Sequence, residues 1–280
     1  MDHRPIGIFD SGLGGLNGLR ALRSFLPDEN VVYFADSGRL PYGAKSRAQL
    51  RVMAQQDLDF LSSFGVKASL VACGTLSSNA GDLLEAWHIP AFGVLTASAE
   101  HIRRLDINGP VAVAATAASI RSGGYQAAIQ ARCPGSTVLG IPCPDFVPLI
   151  ESGHLSPDDP LLRDAVARYL QPAKDAGASI LVLGCTHYGL IEATITAFLG
   201  PDVRLISAAE SGAIALCSHL LKTGKTGGSG ETKFYTSGDM VTFARAAGFF
   251  LGRDARELAV EAIPPQPVPD FNDSYPLTGV

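Results

Sequence analysis

The 280-residue chain predicts an α/β protein of two similar lobes, each a mostly parallel sheet covered by helices, with the active site in the cleft between them. Three observations predict it. Nine short β-branched or aliphatic runs alternate with longer amphipathic segments, the alternation that builds parallel, helix-covered sheets. Several runs are apolar on both alternating faces, as strands buried from both sides are. The length is about twice the roughly 150 residues of an average domain.

Taken in order, the strand runs are IGIF at 6–9, VVYF at 31–34, SLVA at 69–72, AFGVL at 91–95 and VAVAA at 111–115. They continue with STVLG at 136–140, SILVLG at 179–184, VRLI at 203–206 and KFYT at 233–236. Runs this short do not differ in period from buried helix, and the flanking Gly and Pro residues favour strand. The longest helical patterns cover 46–64 and 159–176. No Gly/Ser-rich linker separates the halves, so the lobe boundary falls in ordinary loops, near Thr96 with a return near Ala208. This gives a first lobe of 1–96 plus 208–255 and a second of 97–207. A tail over 256–280 follows; its Pro-rich part from Pro264 can continue neither a helix nor a central strand and is expected on the surface.

Composition narrows the function. Twenty-two basic and 27 acidic residues give a net charge of −5, with no Lys/Arg cluster to follow a phosphate backbone, so nucleic acid is a poor partner. The start, MDHRPIGIFDSG, has neither a basic n-region nor an apolar h-region, and no apolar run approaches the roughly 18 residues of a membrane span. A soluble, cytoplasmic protein is expected. Five cysteines (Cys73, Cys133, Cys143, Cys185, Cys217) form an odd set without CxxC spacing, which supports neither a disulfide framework nor a zinc site.

Two cysteines share a local plan. In LVLGCTHYGL (181–190) an apolar run ends on Gly184 and presents Cys185, Thr186 and His187; in SLVACGTLSS an apolar run ends on Ala72 and presents Cys73, Gly74 and Thr75. In open α/β sheets ligands bind beyond the carboxyl ends of the strands, so both thiols sit at a ligand-facing edge. From facing lobes they would approach one molecule on opposite sides, which suits two-base proton transfer at a stereocentre: one group removes a proton, the other returns one to the opposite face. The competent base is the thiolate, so the site must supply donors or positive potential; the helix starts after each cysteine, with Thr75 and Thr186, are candidates. Cys133, Cys143 and Cys217 read as small buried hydrophobes. His187 either orients the second thiol or is a turn histidine with a backbone partner, and spacing alone does not choose. After the first strand, DSGLGGLNGLRAL lacks the GxGxxG spacing and the P-loop lysine, which disfavours a phosphate site. Asp10 there either faces the cleft, holding a substrate ammonium or a thiol's proton, or caps the next helix.

Six ordered blocks, IGIFDSGLGGL (6–16), YFADSGRLPYGAKS (33–46), ACGTLSS (72–78), CPDFVPLIESG (143–153), LGCTHYGL (183–190) and FYTSGDMVTFARAAGFFLG (234–252), resemble the glutamate racemase family of the cofactor-independent aspartate/glutamate racemase superfamily. The resemblance implies interconversion of L- and D-glutamate for peptidoglycan synthesis, with no cofactor, neither pyridoxal phosphate nor metal, and a homodimer. It implies that Cys73 and Cys185 are the acid/base thiols, supported in the second half-site by Glu151 and His187. It places Asp10, Ser11, Thr75, Thr116 and Thr186 among the polar contacts, with the backbone of Pro41, Tyr42 and Gly43 helping to bind substrate. Taken without the family, Glu151 in PLIESGHL reads as a solvent-exposed helix end. The chain departs from the family's pattern at Gly74, where an Asn is usual, and at Ser119, where a Thr is usual; at the first either a water or a backbone N–H replaces the amide contact to substrate or affinity is reduced, and the second keeps the hydroxyl. Related aspartate racemases tend to carry Glu at the position of His187, which favours glutamate here.

Other readings predict other behaviour. A relative acting on aspartate or a hydantoin would differ in substrate profile. A thiol redox or metal-binding protein would use Cys185 and His187 as ligands, yet no second Cys/His pair stands at a zinc spacing. A two-lobe binding protein would need no thiol on either lobe.

Overall fold

The computed structural model describes residues 1–105 and 109–269. Among the described residues ten strands form in chain order: β1 (Ile6–Asp10), β2 (Val31–Ala35), β3 (Ala68–Val71), β4 (Ala91–Gly93), β5 (Val111–Ala115), β6 (Val138–Pro142), β7 (Ile180–Leu183), β8 (Arg204–Ser207), β9 (Thr232–Thr236) and β10 (Val260–Ala262). They make two sheets, ordered β10-β9-β2-β1-β3-β4 and β6-β5-β7-β8. Every pairing is parallel, with β1 and β3 in register from Ile6 opposite Ala68, and β5 and β7 from Val111 opposite Ile180.

Alternation along the strands explains why both faces are covered. Ile6 and Ile8 point into one cluster while Phe9 joins another on the opposite face, with Val32 and Phe34. In the second sheet Ala112, Ala114, Leu181 and Leu183 enter one core, and Val111, Val113, Ile180 and Val182 the other. Each sheet thus removes two apolar faces from water, and helices supply the covering layers.

The helices begin where the sequence offers caps. Ser46 accepts from Gln49 N and the Gln49 side chain accepts from Ser46 N, a capping box that starts the helix Arg47–Ser62. Asp159 accepts from Leu161 N and Leu162 N, with Pro160 at the first helical position of Pro160–Asp175.

Two expectations at strand ends are corrected. The run 91–95 stops being a strand at Gly93, because Val94 and Leu95 already begin the helix Val94–Leu105 that leads to the second sheet. The tail expected over 256–280 begins later than that: β10 pairs with β9 from Val260 opposite Phe234 and extends the first sheet by one edge strand. Pro264 and Pro265 then end the pairing, since neither can donate to a ladder. Ile263 and Val268 pack on the first sheet's core. The rest of the expected tail, 270–280, lies outside the described residues.

Candidate active site

β1 and β3 of the first sheet and β5 and β7 of the second end at one cleft. Beyond β3 comes Cys73, at the start of the helix Gly74–Asn79; beyond β7 comes Cys185, at the start of a 3₁₀ turn over Thr186–Ile191. Cys73 and Cys185 both line a single cavity of about 200 Å³. Ser11, Pro41, Tyr42, Gly43, Gly74 and Thr75 wall it on the first lobe's side; Thr116, Thr186 and His187 face them from the second. Both cysteines are buried and neither is in a disulfide.

The two thiols have unlike surroundings. His187 Nδ1 lies 3.7 Å from Cys185 Sγ, and its Nε2 lies 2.7 Å from Glu151 Oε1. Burial alone would push the His187 imidazole down, but the hydrogen bonds to Cys185 and Glu151, with the charges of Cys185 and Asp10, hold it well above the usual histidine range. These bonds favour its cationic form, beside a sulfur. Around Cys73 the balance runs the other way. Burial first, then the charge of Asp10, pushes this thiol well above its ordinary range, opposed by the Leu76 backbone and the Ser11 hydroxyl.

Asp10 does not line the cavity. It is fully buried behind the wall, where one carboxylate oxygen accepts from Gly12 N at 2.9 Å and the other from the Thr186 hydroxyl at 2.9 Å. Nor does it cap the next helix, whose N-cap is Gly15 without a side-chain bond. Burial raises its carboxyl, with the positive His187 acting against that shift. Asp10 thus joins the lobes through Thr186 rather than reaching a ligand directly. Glu151 and Ser119 are also set back. Glu151 touches the cavity through His187; Ser119 Oγ is 3.0 Å from Thr116 Oγ1, which in turn lies 3.1 Å from Thr75 Oγ1 across the cleft.

The 41–43 loop is held from behind. Arg39 Nε bonds Asp36 Oδ2 at 2.5 Å and its Nη2 bonds Asp57 Oδ1 at 2.6 Å, all three residues being buried. The Tyr42 hydroxyl donates to Asp36, which turns its polar end away from the cavity. The ionic cluster thereby fixes the loop's backbone, the part left to meet a ligand.

Several participants were not legible locally. Cys143, expected as a buried hydrophobe, is buried but also lines the cavity, its thiol donating to Ile141 O at 3.5 Å. Asn17 Nδ2 donates to Thr186 O at 3.0 Å, and the Tyr125 hydroxyl donates to Gly184 O at 2.9 Å. The glycine-rich turn has a reason other than an anion: a Cβ on Gly14 would overlap Thr186 Oγ1 and stand 2.7 Å from His187 N. The turn is bare so that the opposing turn can dock on it. Among the described residues no cluster of three or more His, Cys, Asp or Glu is arranged to hold a metal, and no helix is long and apolar enough to cross a membrane.

Comparison with known proteins agrees with this geometry. The profile of the Asp/Glu/Hydantoin racemase family matches residues 19–216. The glutamate racemase of Beutenbergia cavernae is 35% identical over 100% of this chain and 96% of its own length. Among solved structures, glutamate racemase from Francisella tularensis in complex with D-glutamate superposes with a TM-score of 0.86 at 35% identity, covering 98% of this chain and 100% of that one. The Bacillus anthracis glutamate racemase gives 0.87 at 31% identity over 94% and 98%. With two lobes of this architecture and matches along its length, the chain belongs to the Asp/Glu/Hydantoin racemase family.

Proposed function

We propose that this protein is a glutamate racemase that inverts Cα by two-base proton transfer between Cys73 and Cys185. The observation that carries the reading is the pair of buried sulfurs, one from each sheet's strand ends, lining one small cavity. One thiolate takes the α-proton; the carbanion-like species is planar; the opposite thiol delivers a proton to the other face, leaving the two sulfurs with exchanged protonation. His187, backed by Glu151, stabilises the thiolate form of Cys185 and fixes its direction. Thr75, Thr116 and Thr186, with the backbone of Ser11 and of 41–43, hold the carboxylates and ammonium. Asp10 and Ser119 act through Thr186 and Thr116 respectively. Substrate choice rests on the glutamate racemases among the relatives and on His187.

The remaining parts of the reading are a cytoplasmic homodimer that needs no added cofactor, divided at about 96 and 208, whose D-glutamate goes to peptidoglycan. The test is polarimetry on L- and D-glutamate separately, with aspartate alongside and a chelator present. Loss of optical activity from both glutamate enantiomers, and not from aspartate, is expected; unchanged rotation of glutamate would overturn the reading.

A further inference from the structure

We propose that Gly74 is a positioning residue that sets the separation of the two thiols; the proposal rests on the racemase reading above. Gly74 follows Cys73 directly, and Gly184 directly precedes Cys185. A Cβ built on Gly74 would overlap the carbonyl oxygen of Gly184 and stand 3.4 Å from the Tyr125 hydroxyl. The carbonyl has no room to withdraw. It accepts the Tyr125 hydroxyl at 2.9 Å, and Gly184 N donates to Ala114 O at 2.8 Å. Gly184 itself is hemmed in, since a Cβ there would lie 3.1 Å from Ala114 O and 3.1 Å from Ala115 Cβ.

The strand ends that carry the sulfurs therefore meet backbone to backbone, one residue from each sulfur. With this chain's backbone, a side chain at 74 pushes the end of β3 away from the end of β7. Gly74 also lines the cavity, which offers a rival reading: vacant space where a longer residue could reach the substrate. The overlap with Gly184 contradicts the rival, because the first atom of such a residue already has no place.

Two-base inversion needs both sulfurs in reach of one carbon, and a displacement of about 1 Å costs roughly 10²-fold. Exchange of the α-proton with retention needs only one sulfur. Opening the seam therefore uncouples the two, which general loss of structure would not do.

The experiment compares wild type, Gly74→Ala and Gly74→Asn, with Gly81→Ala as control because a Cβ on Gly81 meets nothing within 4 Å. Inversion is followed by circular dichroism and α-exchange by proton NMR of glutamate in deuterated water. We expect inversion to fall about 10²-fold in both Gly74 variants. Exchange with retention should persist within several-fold, and Gly81→Ala should match wild type. Wild-type inversion in Gly74→Ala, a parallel fall of exchange and inversion, or a lowered KM in Gly74→Asn would each overturn the proposal. Should thermal unfolding show that Gly74→Ala does not fold, Tyr125→Phe decides. It frees the Gly184 carbonyl without adding bulk, and should raise the exchange-to-inversion ratio; an unchanged ratio overturns the proposal. Wild type that neither inverts nor exchanges glutamate would instead refute the racemase reading itself.

Discussion

The half-sites around Cys73 and Cys185 are built alike and charged differently. Each thiol follows a buried parallel strand and opens a helical turn. Cys185 then has an imidazole 3.7 Å away whose cationic form is favoured by its bond to Glu151, whereas Cys73 has the carboxylate of Asp10 in its field. The same carboxylate that disfavours a Cys73 thiolate favours the His187 cation across the cleft. Like strand ends thus carry the two cysteines, and local electrostatics make their surroundings unequal.

Removing one sulfur should have the largest effect. Cys73→Ala and Cys185→Ala should each lower inversion by about 10³- to 10⁴-fold. Each should spare deuterium exchange of the enantiomer presented to the surviving thiol, and the two variants should spare opposite enantiomers in NMR. Equal loss of exchange from both enantiomers in one variant would show that the thiols do not divide the two faces.

Much of this plan could be read from residues alone, and the unread parts share a cause. Strands buried on both faces are apolar at successive positions, so β1–β9 stand out of the sequence. β10 does not, because a three-residue edge strand reading Val-Glu-Ala has no such run, and its pairing is decided by β9 alone. The thiols were legible because both lobes repeat the strand-end pattern. Glu151, Asn17, Tyr125 and the seat at Gly14 acquire their meaning only from the turn they face, more than 35 residues away in each case. Local sequence carries no signal for such pairings.

Losing the imidazole should sharpen the inequality. His187→Asn is expected to lower inversion by about 10²-fold and to depress exchange of the enantiomer served by Cys185, with exchange at the Cys73 side largely kept. A uniform effect on both enantiomers would place His187 outside one half-site.

A smaller, signed effect comes from Glu151→Gln. Glu151 is one of the groups that hold His187 above its ordinary range, so His187⁺ persists to higher pH in the native protein. Without that carboxylate His187 loses its proton at lower pH, and the alkaline limb of kcat should move down the pH scale, with about tenfold lower activity at its former plateau. The Cys73→Ala exchange profile should show the same limb, since it reports Cys185 alone. A limb that does not move would remove Glu151 from the relay.

The mildest test concerns the hydroxyl link between lobes. Thr75→Val removes the partner 3.1 Å from Thr116 but leaves Thr116 as the cap that accepts from Ser119 N. One lost hydrogen bond of about 1 kcal/mol should raise KM about fivefold with kcat little changed, measured by steady-state kinetics.

The central claim, that two different groups handle the proton on the two faces, is tested most directly by the origin of the product's α-hydrogen at early turnover in deuterated water. Mass spectrometry of each enantiomer, separated after a few per cent conversion, should find product carrying solvent deuterium at Cα, far in excess of the deuterium in recovered substrate. Product that retains the substrate's own hydrogen would mean that one group serves both faces, and would contradict the account.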